Sequence, residues 1–286
     1  MMWKKIKSNF ILKKIFSNFD NQRKFITIVY NKSLQRKLGL NLIDFIRFSG
    51  RSKIEEDGKA KVYNSYNNRL LFKGQYTNGK RNGKGSEYNE EGQLIFEGEY
   101  LNGKKWTGKA NEYDEETGNL ILECEYSNGK IDGEVKEYDK YNGALLFSGK
   151  YSNGKRNGEG VEYKTILYED RGYFSNIKFR YIKIFSGLYL NGERKEGKEY
   201  NYDEQLIYEG EYLNGKRHGN GKIYDKNGKL KYEGDLIKGM KQGKGIEYDR
   251  NHDIKYEGEF LNGKKNGKGK EYGTYSSHFR IIMYII

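Results

Sequence analysis

A single unit recurs along this chain. Eight segments repeat the same order of aromatic, glycine and asparagine residues, and successive segments begin 24, 26, 25, 38, 23, 24 and 24 residues apart. We number them repeats 1 to 8, and they begin at Phe72, Phe96, Leu122, Phe147, Phe185, Tyr208, Tyr232 and Tyr256. A period of this length is typical of repeat architectures, in which each unit packs only against its neighbours.

Each repeat predicts two strands joined by a tight turn. In repeat 6, Tyr208, Gly210 and Tyr212 alternate with glutamates, which places aromatic residues on one face of a strand and acids on the other. Asn214 and Gly215 then supply the two positive φ angles of a short hairpin turn. We expect the glycine inside the strand to leave room for an aromatic ring from a neighbouring strand.

Composition agrees with a repeat sheet. The 286 residues include 37 Gly and 27 Tyr but no Pro, and the mean hydropathy is −1.00, which is low for an ordinary globular core. Cys124 is the only cysteine, and it occupies the glycine position of repeat 3, where we expect a small packing residue. No disulfide framework and no Cys/His cluster for a metal is present in the sequence, so we expect no metal and no cofactor.

Two segments carry a family resemblance. The segment from Tyr208 to Tyr224 and the segment from Tyr256 to Gly269 resemble the MORN repeat, and the resemblance extends over about residues 70–272. It implies a mainly β fold, an elongated open antiparallel sheet of stacked β-hairpins. It also implies a scaffold for membrane-associated or cytoskeletal assemblies, with self-association or phospholipid binding in some members.

The repeats depart from that pattern in four places. Repeat 2 gains a residue near Trp106, repeat 5 loses one, and repeat 3 has Val135 in place of a glycine. Fourteen extra residues separate repeats 4 and 5, within residues 165–184. This insertion either lengthens a hairpin or replaces a decayed one, and we expect drift in a tolerant loop more than a contact site.

The predicted domain organisation has three parts. Residues 1–53 form a small helical, basic head or cap, residues 54–272 form the repeat sheet, and residues 273–286 form an apolar tail. The sequence has no secretory signal and no apolar stretch of about 20 residues, so we expect an intracellular, cytoplasmic protein that reaches a membrane only from its surface.

The head carries most of the net charge. Residues 1–53 contain 13 Lys or Arg and two acids, so they contribute +11 of the total +13. Apolar residues at helical spacing predict a first helix around Phe16, a second around Phe25, and a third capped by Ser33 that includes Leu34 and Leu38.

Three roles remain open for the head. It is weakly similar to an F-box over residues 11–20 and 29–32, which would dock a ubiquitin-ligase adaptor and make the repeats a substrate receptor. Trp3, Ile6 and Phe10 with their neighbouring lysines also form a basic amphipathic segment suited to an anionic membrane. Alternatively, the head caps the first edge of the sheet.

The candidate contacts are basic, with five in the head and five pairs at the Asn-Gly turns. A regular sheet places the turn pairs in a row with steps of about 10 Å, although neighbouring glutamates nearly cancel the charge and favour a solubility role. These candidate contacts for a protein partner or a phospholipid are Lys4, Lys5, Lys7, Lys13, Lys14, Lys80, Arg81, Lys104, Lys105, Lys155, Arg156, Lys216, Arg217, Lys264 and Lys265.

The sequence favours binding over catalysis. Its three histidines are isolated and no cluster of titratable residues predicts an active site, so we expect no catalytic residues and no enzyme. The aromatics alternate with glycine and not with lysine, so we do not expect nucleic-acid binding. We therefore expect a scaffold or adaptor for proteins, some of them cytoskeletal or membrane-associated, with anionic-membrane binding and ubiquitin-ligase docking as alternatives.

Overall fold

The computed structural model describes residues 9–17, 19, 24, 28, 31–40, 51–170, 176–272 and 279–284. These residues contain two helices and 19 strands. They are α1 (Asn9–Ser17), α2 (Lys32–Leu38), β1 (Arg51–Glu56), β2 (Lys59–Asn64), β3 (Leu70–Thr77), β4 (Lys80–Tyr88), β5 (Leu94–Leu101), β6 (Lys104–Tyr113), β7 (Leu120–Ser127), β8 (Lys130–Tyr138), β9 (Leu145–Ser152), β10 (Lys155–Asp170), β11 (Asn176–Leu190), β12 (Glu193–Tyr200), β13 (Leu206–Leu213), β14 (Lys216–Tyr224), β15 (Leu230–Ile237), β16 (Met240–Tyr248), β17 (Ile254–Leu261), β18 (Lys264–Tyr272) and β19 (Phe279–Tyr284).

The chain divides into two compact bodies. The first body covers residues 1–110 and contains both helices and the strands from β1 into β6. The second covers residues 111–286 and contains β7 to β19. In each body consecutive strands pair antiparallel, β1 with β2 through to β6 and β7 with β8 through to β19, so the prediction of an open antiparallel sheet of hairpins is confirmed.

The Asn-Gly turns set the register of the hairpins. In repeat 6, Asn214 has φ 51° and Gly215 has φ 71°, so both residues adopt the left-handed region as a two-residue turn requires. Leu213 therefore pairs with Lys216, and Tyr212 pairs with Arg217. Because paired residues share a face, this register decides which basic residue lies beside the aromatic rings.

A β-bulge interrupts the hairpin just beyond the pair formed by Tyr212 and Arg217. The register shifts between Gly210 and Tyr212, and Gly219 has φ 63° in the bulged return strand. The Glu211 carboxylate accepts a hydrogen bond from the Asn220 amide at 3.4 Å. Gln75 does the same for the Lys84 amide in repeat 1, at 2.7 Å. The side chain opposite the bulge thus satisfies a backbone donor that the ladder leaves free.

Alternate side chains build an aromatic face in each body. The first residue of the repeat is fully buried in repeats 4 to 8. In repeats 4, 5, 6 and 8 the aromatic four residues later packs edge-on against it, as between Tyr208 and Tyr212 with ring centroids 5.3 Å apart. Tyr212 also packs edge-on against Phe185 of the preceding repeat, at 5.4 Å. In the second body the rings therefore form one ladder through repeats 4 to 6 and another through repeats 7 and 8, on either side of Leu236. Each ring contact stabilises either one hairpin or a junction between two.

The strand glycines occur as facing pairs. Gly210 pairs with Gly221, and a Cβ on Gly210 would lie 2.6 Å from the Gly221 Cα. A Cβ on Gly221 would lie 2.5 Å from Cε2 of Tyr208. The ring that covers Gly210 thus comes from its own strand, two residues earlier, so the expectation of a ring from a neighbouring strand is wrong for this glycine and holds for Gly221.

Repeat 3 solves the same packing problem differently. Its first residue is Leu122, and the two glycine positions are occupied by Cys124 and Val135, which pair with each other and are both buried. Without a large ring to accommodate, the two strands have space for these side chains. Cys124 is therefore a small packing residue, as predicted.

The insertion lengthens one hairpin. The pairing of β10 with β11 continues beyond Tyr163 and Lys183 to Asp170 and Asn176, with a register shift at Tyr163. Phe179 and Tyr181 on this extension are each 53% exposed, whereas Ile182 is fully buried. Of the two alternatives for residues 165–184, the structure shows the longer hairpin.

One helix begins at a different cap from the predicted one, and the tail contains a strand. The third predicted helix is α2, whose N-cap is Asn31 and not Ser33, because the Asn31 Oδ1 accepts a hydrogen bond from the Leu34 amide at 3.0 Å. Phe16, Ile28, Leu34 and Leu38 form a small buried cluster. Within the tail, β19 pairs with β18 as a further strand of the sheet.

Candidate interaction surfaces

The two members of each basic turn pair lie in different environments. The first members, which we call the turn lysines, are exposed: Lys80, Lys104, Lys155, Lys216 and Lys264. The second members are partly buried on the aromatic face: Arg81, Lys105, Arg156, Arg217 and Lys265. The predicted contact set therefore separates into residues that face solvent and residues that belong to the packing of the sheet.

The second members stack on the ring that begins their own repeat. The Arg156 guanidinium carbon lies 4.0 Å from the centroid of the Phe147 ring, and that of Arg217 lies 4.7 Å from the Tyr208 centroid. A cation over an aromatic ring gains about 0.5–2 kcal/mol, more as water is excluded. Arg194 and Lys241 occupy the same position and stack on Phe185 and Tyr232, at 4.3 and 4.7 Å.

Sequence reasoning missed Arg194 and Lys241 because each follows a residue that is not basic. Glu193 precedes Arg194, and Met240 precedes Lys241, so neither forms a basic pair. The signal that finds them is the turn itself. The second residue after a two-residue turn pairs with the second residue before it, as Tyr189 pairs with Arg194, and therefore lies on the same face as the ring.

Glutamates near the end of the return strands, which we call the boundary glutamates, hold these cations in place. They are Glu87, Glu137, Glu162, Glu199, Glu247 and Glu271. Glu162 of repeat 4 accepts from Arg194 Nη2 of repeat 5 at 2.5 Å and from the Tyr189 hydroxyl at 2.6 Å. Arg156 of its own repeat lies 3.5 Å away. One carboxylate thus links two consecutive repeats.

The environment of this link shifts the ionisation of its members. Burial raises the pKa of Glu162, but the hydrogen bonds from Arg194 and Tyr189 and the nearby positive charges outweigh burial and hold it below its ordinary value. Burial and the Glu162 carboxylate raise the pKa of the Tyr189 hydroxyl well above its ordinary value. In the preceding link, burial and the hydrogen bond to Glu137 raise the pKa of Tyr151 to about 12.

The opposite side of the strands, which we call the charged face, presents acids and lysines over bare glycine backbone. In the second body it contains a groove of about 610 Å³ lined by Asn220, Glu233, Lys244, Glu257 and Lys268 among others. In the first body a groove of about 900 Å³ is lined by residues that include Lys73, Lys84, Glu97 and Glu99. Because the aromatic face is occupied by internal packing, these grooves on the charged face are candidate surfaces for a partner.

The head contributes two placed candidates. Lys13 and Lys14 on α1 are exposed. Lys4, Lys5 and Lys7 lie outside the residues that the structure describes, and so does most of the second predicted helix. The F-box-like segment also extends into that part of the chain, and the resemblance stays a prediction.

The residues that the structure describes contain neither a membrane-spanning helix nor a metal-binding cluster. No helix among them is both long enough and apolar enough to span a lipid bilayer. In the same ranges, no group of three or more His, Cys, Asp and Glu side chains is arranged to hold a metal ion.

Comparison with known families identifies the repeats. Residues 72–92, 147–165, 208–229, 232–254 and 256–276 match the MORN repeat. These segments correspond to repeats 1, 4, 6, 7 and 8. Repeats 2, 3 and 5 lie outside the matched residues, and they are the repeats that gain a residue, replace the glycines or lose a residue.

Other comparisons are distant. None of the curated proteins compared with the chain matches it. Among solved structures, the crystal structure of TarM is similar over 50% of this chain, with 10% sequence identity and a TM-score of 0.22. This chain spans 26% of the TarM chain.

Proposed function

We propose that this MORN-repeat protein is a non-enzymatic scaffold that binds other proteins through the charged face of its sheets. The observation that carries the proposal is the difference between the two faces. On the aromatic face the rings, the stacked cations and the boundary glutamates satisfy one another. On the charged face, side chains such as Lys244 and Glu259 are exposed beside a groove.

Several features support a binding role over a chemical one. The grooves are open, and each combines acidic with basic side chains, as a surface that recognises a complementary chain requires. MORN repeats in five segments agree with a repeat-based binding surface. We place the protein inside the cell, because a single buried cysteine and no disulfide suit a reducing compartment.

The test is partner capture by the full-length protein. We expect the tagged chain, purified from cells of its source, to retain specific proteins, and we expect the double variant Lys244→Glu/Lys268→Glu to lose at least one of them. The matched control is Lys226→Glu/Arg250→Glu, which makes the same change of charge in exposed turns between strands. Equal capture by the wild type and both variants would show that this groove is not the recognition surface.

Binding to an anionic membrane surface is a second candidate. The exposure of all five turn lysines favours it, since each cationic side chain near an anionic leaflet contributes about 1 kcal/mol. Replacing Lys80, Lys104, Lys155, Lys216 and Lys264 by glutamine would then weaken co-sedimentation with phosphatidylserine vesicles. Unchanged sedimentation, or equal sedimentation with phosphatidylcholine vesicles, would remove this candidate and leave protein binding in place.

A further inference from the structure

An exposed apolar row follows the turn edge of four consecutive hairpins in the second body. The residue before each turn lies on the charged face, because it alternates with the buried aromatic before it. In repeats 5 to 8 this residue is Leu190, Leu213, Ile237 or Leu261, and these side chains are 53%, 52%, 44% and 38% exposed. Large apolar side chains at four equivalent positions make an exposed row, which we call the strip.

The strip is confined to one part of the chain. At the same hairpin position repeats 1, 3 and 4 have Thr77, Ser127 and Ser152, and repeat 2 has an isolated Leu101. The fold therefore tolerates a short polar residue there, and packing within the hairpin does not demand a large apolar one. Large exposed apolar side chains gathered along one edge are typical of an interaction site.

Charged residues border and interrupt the strip, and in repeat 5 Leu190 pairs with the acid Glu193. Lys216 pairs with Leu213, and Lys264 pairs with Leu261, so an exposed lysine lies on the strand after each of these leucines. In repeat 7, Met240 takes the place of lysine opposite Ile237 and is itself 46% exposed. Two residues inward along the opening strands lie three exposed acids, Glu211, Asp235 and Glu259.

The spacing of the strip fits an α-helix laid across the strands. Neighbouring strands are about 4.8 Å apart, so the apolar residues recur every 9.6 Å or so and the lysines lie halfway between. A helix rises about 10.5 Å in seven residues and about 4.5–6 Å in three or four. A helix with an apolar residue every seven positions, and with acids three or four residues after those that meet Leu213 and Leu261, would match the apolar row and the two lysines.

We propose that the strip formed by Leu190, Leu213, Ile237 and Leu261 docks an amphipathic helix of a partner protein. Its leucine-type residues recur every seventh position, its acids meet Lys216 and Lys264, and its basic flank meets Glu211, Asp235 and Glu259. The inference rests on the proposed scaffold function and specifies the chemistry of the partner. Four contacts along the strip require a helix of about four heptads, roughly 28 residues.

The test uses three fluorescein-labelled 28-residue peptides of identical composition. The first repeats Leu-x-x-Glu-x-x-x with lysines on one flank, the second arranges the same residues in strict alternation as for a strand, and the third is scrambled. We expect the full-length protein to bind the first peptide at least tenfold more tightly than the third, as measured by fluorescence anisotropy. Equal binding of the first and third peptides, or tighter binding of the alternating peptide, overturns the helical partner.

Variants locate the binding on the strip. Leu213→Lys/Ile237→Lys/Leu261→Lys should weaken binding of the first peptide at least tenfold. The control Thr77→Lys/Leu101→Lys/Ser152→Lys adds the same charge at the same hairpin position in repeats 1, 2 and 4, and should leave binding unchanged. If both triple variants bind as the wild type does, the strip is not the site.

A separate readout distinguishes this inference from the scaffold function. All six substituted positions are exposed or polar, so both variants should keep the wild-type far-UV circular dichroism spectrum and unfolding midpoint. Partner capture from source cells is then measured with the same preparations. If the strip variant still captures partners and the wild type shows no preference for the heptad peptide, the scaffold function is supported and the helix-docking strip is rejected.

Discussion

The Tyr212 hydroxyl of repeat 6 donates a hydrogen bond to the Glu199 carboxylate of repeat 5, at 3.0 Å. Arg217 Nε of repeat 6 donates to the same carboxylate at 2.9 Å. The acid of one repeat thus receives both partners from the next. The junction between repeats 6 and 7 lacks this link, because Ile223 replaces the glutamate and Leu236 replaces the tyrosine. The polar acceptor and its hydroxyl donor are absent together, so neither is left unpaired.

Removing that hydroxyl tests the link. Tyr212→Phe keeps the ring contacts and deletes one hydrogen bond to a charged group, so we expect a loss of about 1–2 kcal/mol in the free energy of unfolding. Urea unfolding followed by circular dichroism measures it. Tyr141→Phe is the control, since that side chain is 74% exposed. An equal effect of the two substitutions would contradict a role for the Tyr212 hydroxyl.

The glycine pairs predict a substitution that destabilises the protein on its own and does so less when two further substitutions accompany it. Gly221→Val places atoms against the Tyr208 ring and should destabilise the protein by about 1–3 kcal/mol. Adding Tyr208→Leu and Gly210→Cys reproduces the arrangement of Leu122, Cys124 and Val135 in repeat 3, and the triple variant should recover part of that loss. Urea unfolding midpoints of the single and triple variants provide the comparison. A triple variant no more stable than the single one would show that repeat 3 depends on other compensations.

The two members of a turn pair should respond differently to truncation. Lys216→Ala removes an exposed side chain and should change the free energy of unfolding by less than about 0.5 kcal/mol. Arg217→Ala removes the cation over Tyr208 and the partner of Glu199, and should cost about 2–3 kcal/mol. Thermal or urea unfolding measures both variants. Similar losses from the two variants would mean that exposure does not separate their roles.

Acid should weaken the boundary between repeats 4 and 5. The folded pKa of Glu162 lies below its ordinary value, so its contribution is present above a pH of about 4.3, the pKa of an unfolded glutamate, and is lost as the pH falls further. The urea midpoint of the wild type should therefore drop more steeply between about pH 5 and pH 3 than that of Glu162→Gln. Glu115→Gln alters an exposed turn acid and should keep the wild-type slope. Parallel profiles for the wild type and Glu162→Gln would refute the link.

Local chemistry was sufficient to predict the hairpins. Asn-Gly turns with positive φ and strict alternation of aromatic and charged residues specify a strand pair without reference to the rest of the chain. The position of Cys124 as a packing residue followed from the same alignment of repeats. These features depend on neighbours in sequence, and the sequence shows them directly.

The roles of the charged residues depend on the strand register. The repeat pattern predicted the hairpins but did not assign each charged residue to a face of the sheet. Arg217 looked like an exposed partner of Lys216 because the two are adjacent in sequence, yet adjacent residues on a strand face opposite sides. The boundary glutamates were not singled out, since Glu162 and Glu199 take partners from the following repeat, about 13 to 32 residues away along the chain. The cap of α2 was misplaced by two residues because Asn31 and Ser33 are both good N-caps, and only the position of the first turn decides between them.

Some boundary glutamates accept hydrogen bonds from the repeat that follows them, and this direction affects how a repeat array can gain or lose units. The boundary glutamates of repeats 4 and 5 accept from the repeat that follows, and repeat 5 also donates to the repeat before it, so a copy of repeat 5 would bring its own acceptor and its own donors. Glu247 and Glu271 each bond to a lysine of their own repeat, Lys241 and Lys265, and so do not need a successor. Gene duplication could therefore add a whole repeat of this kind inside the array and leave no boundary glutamate without a partner.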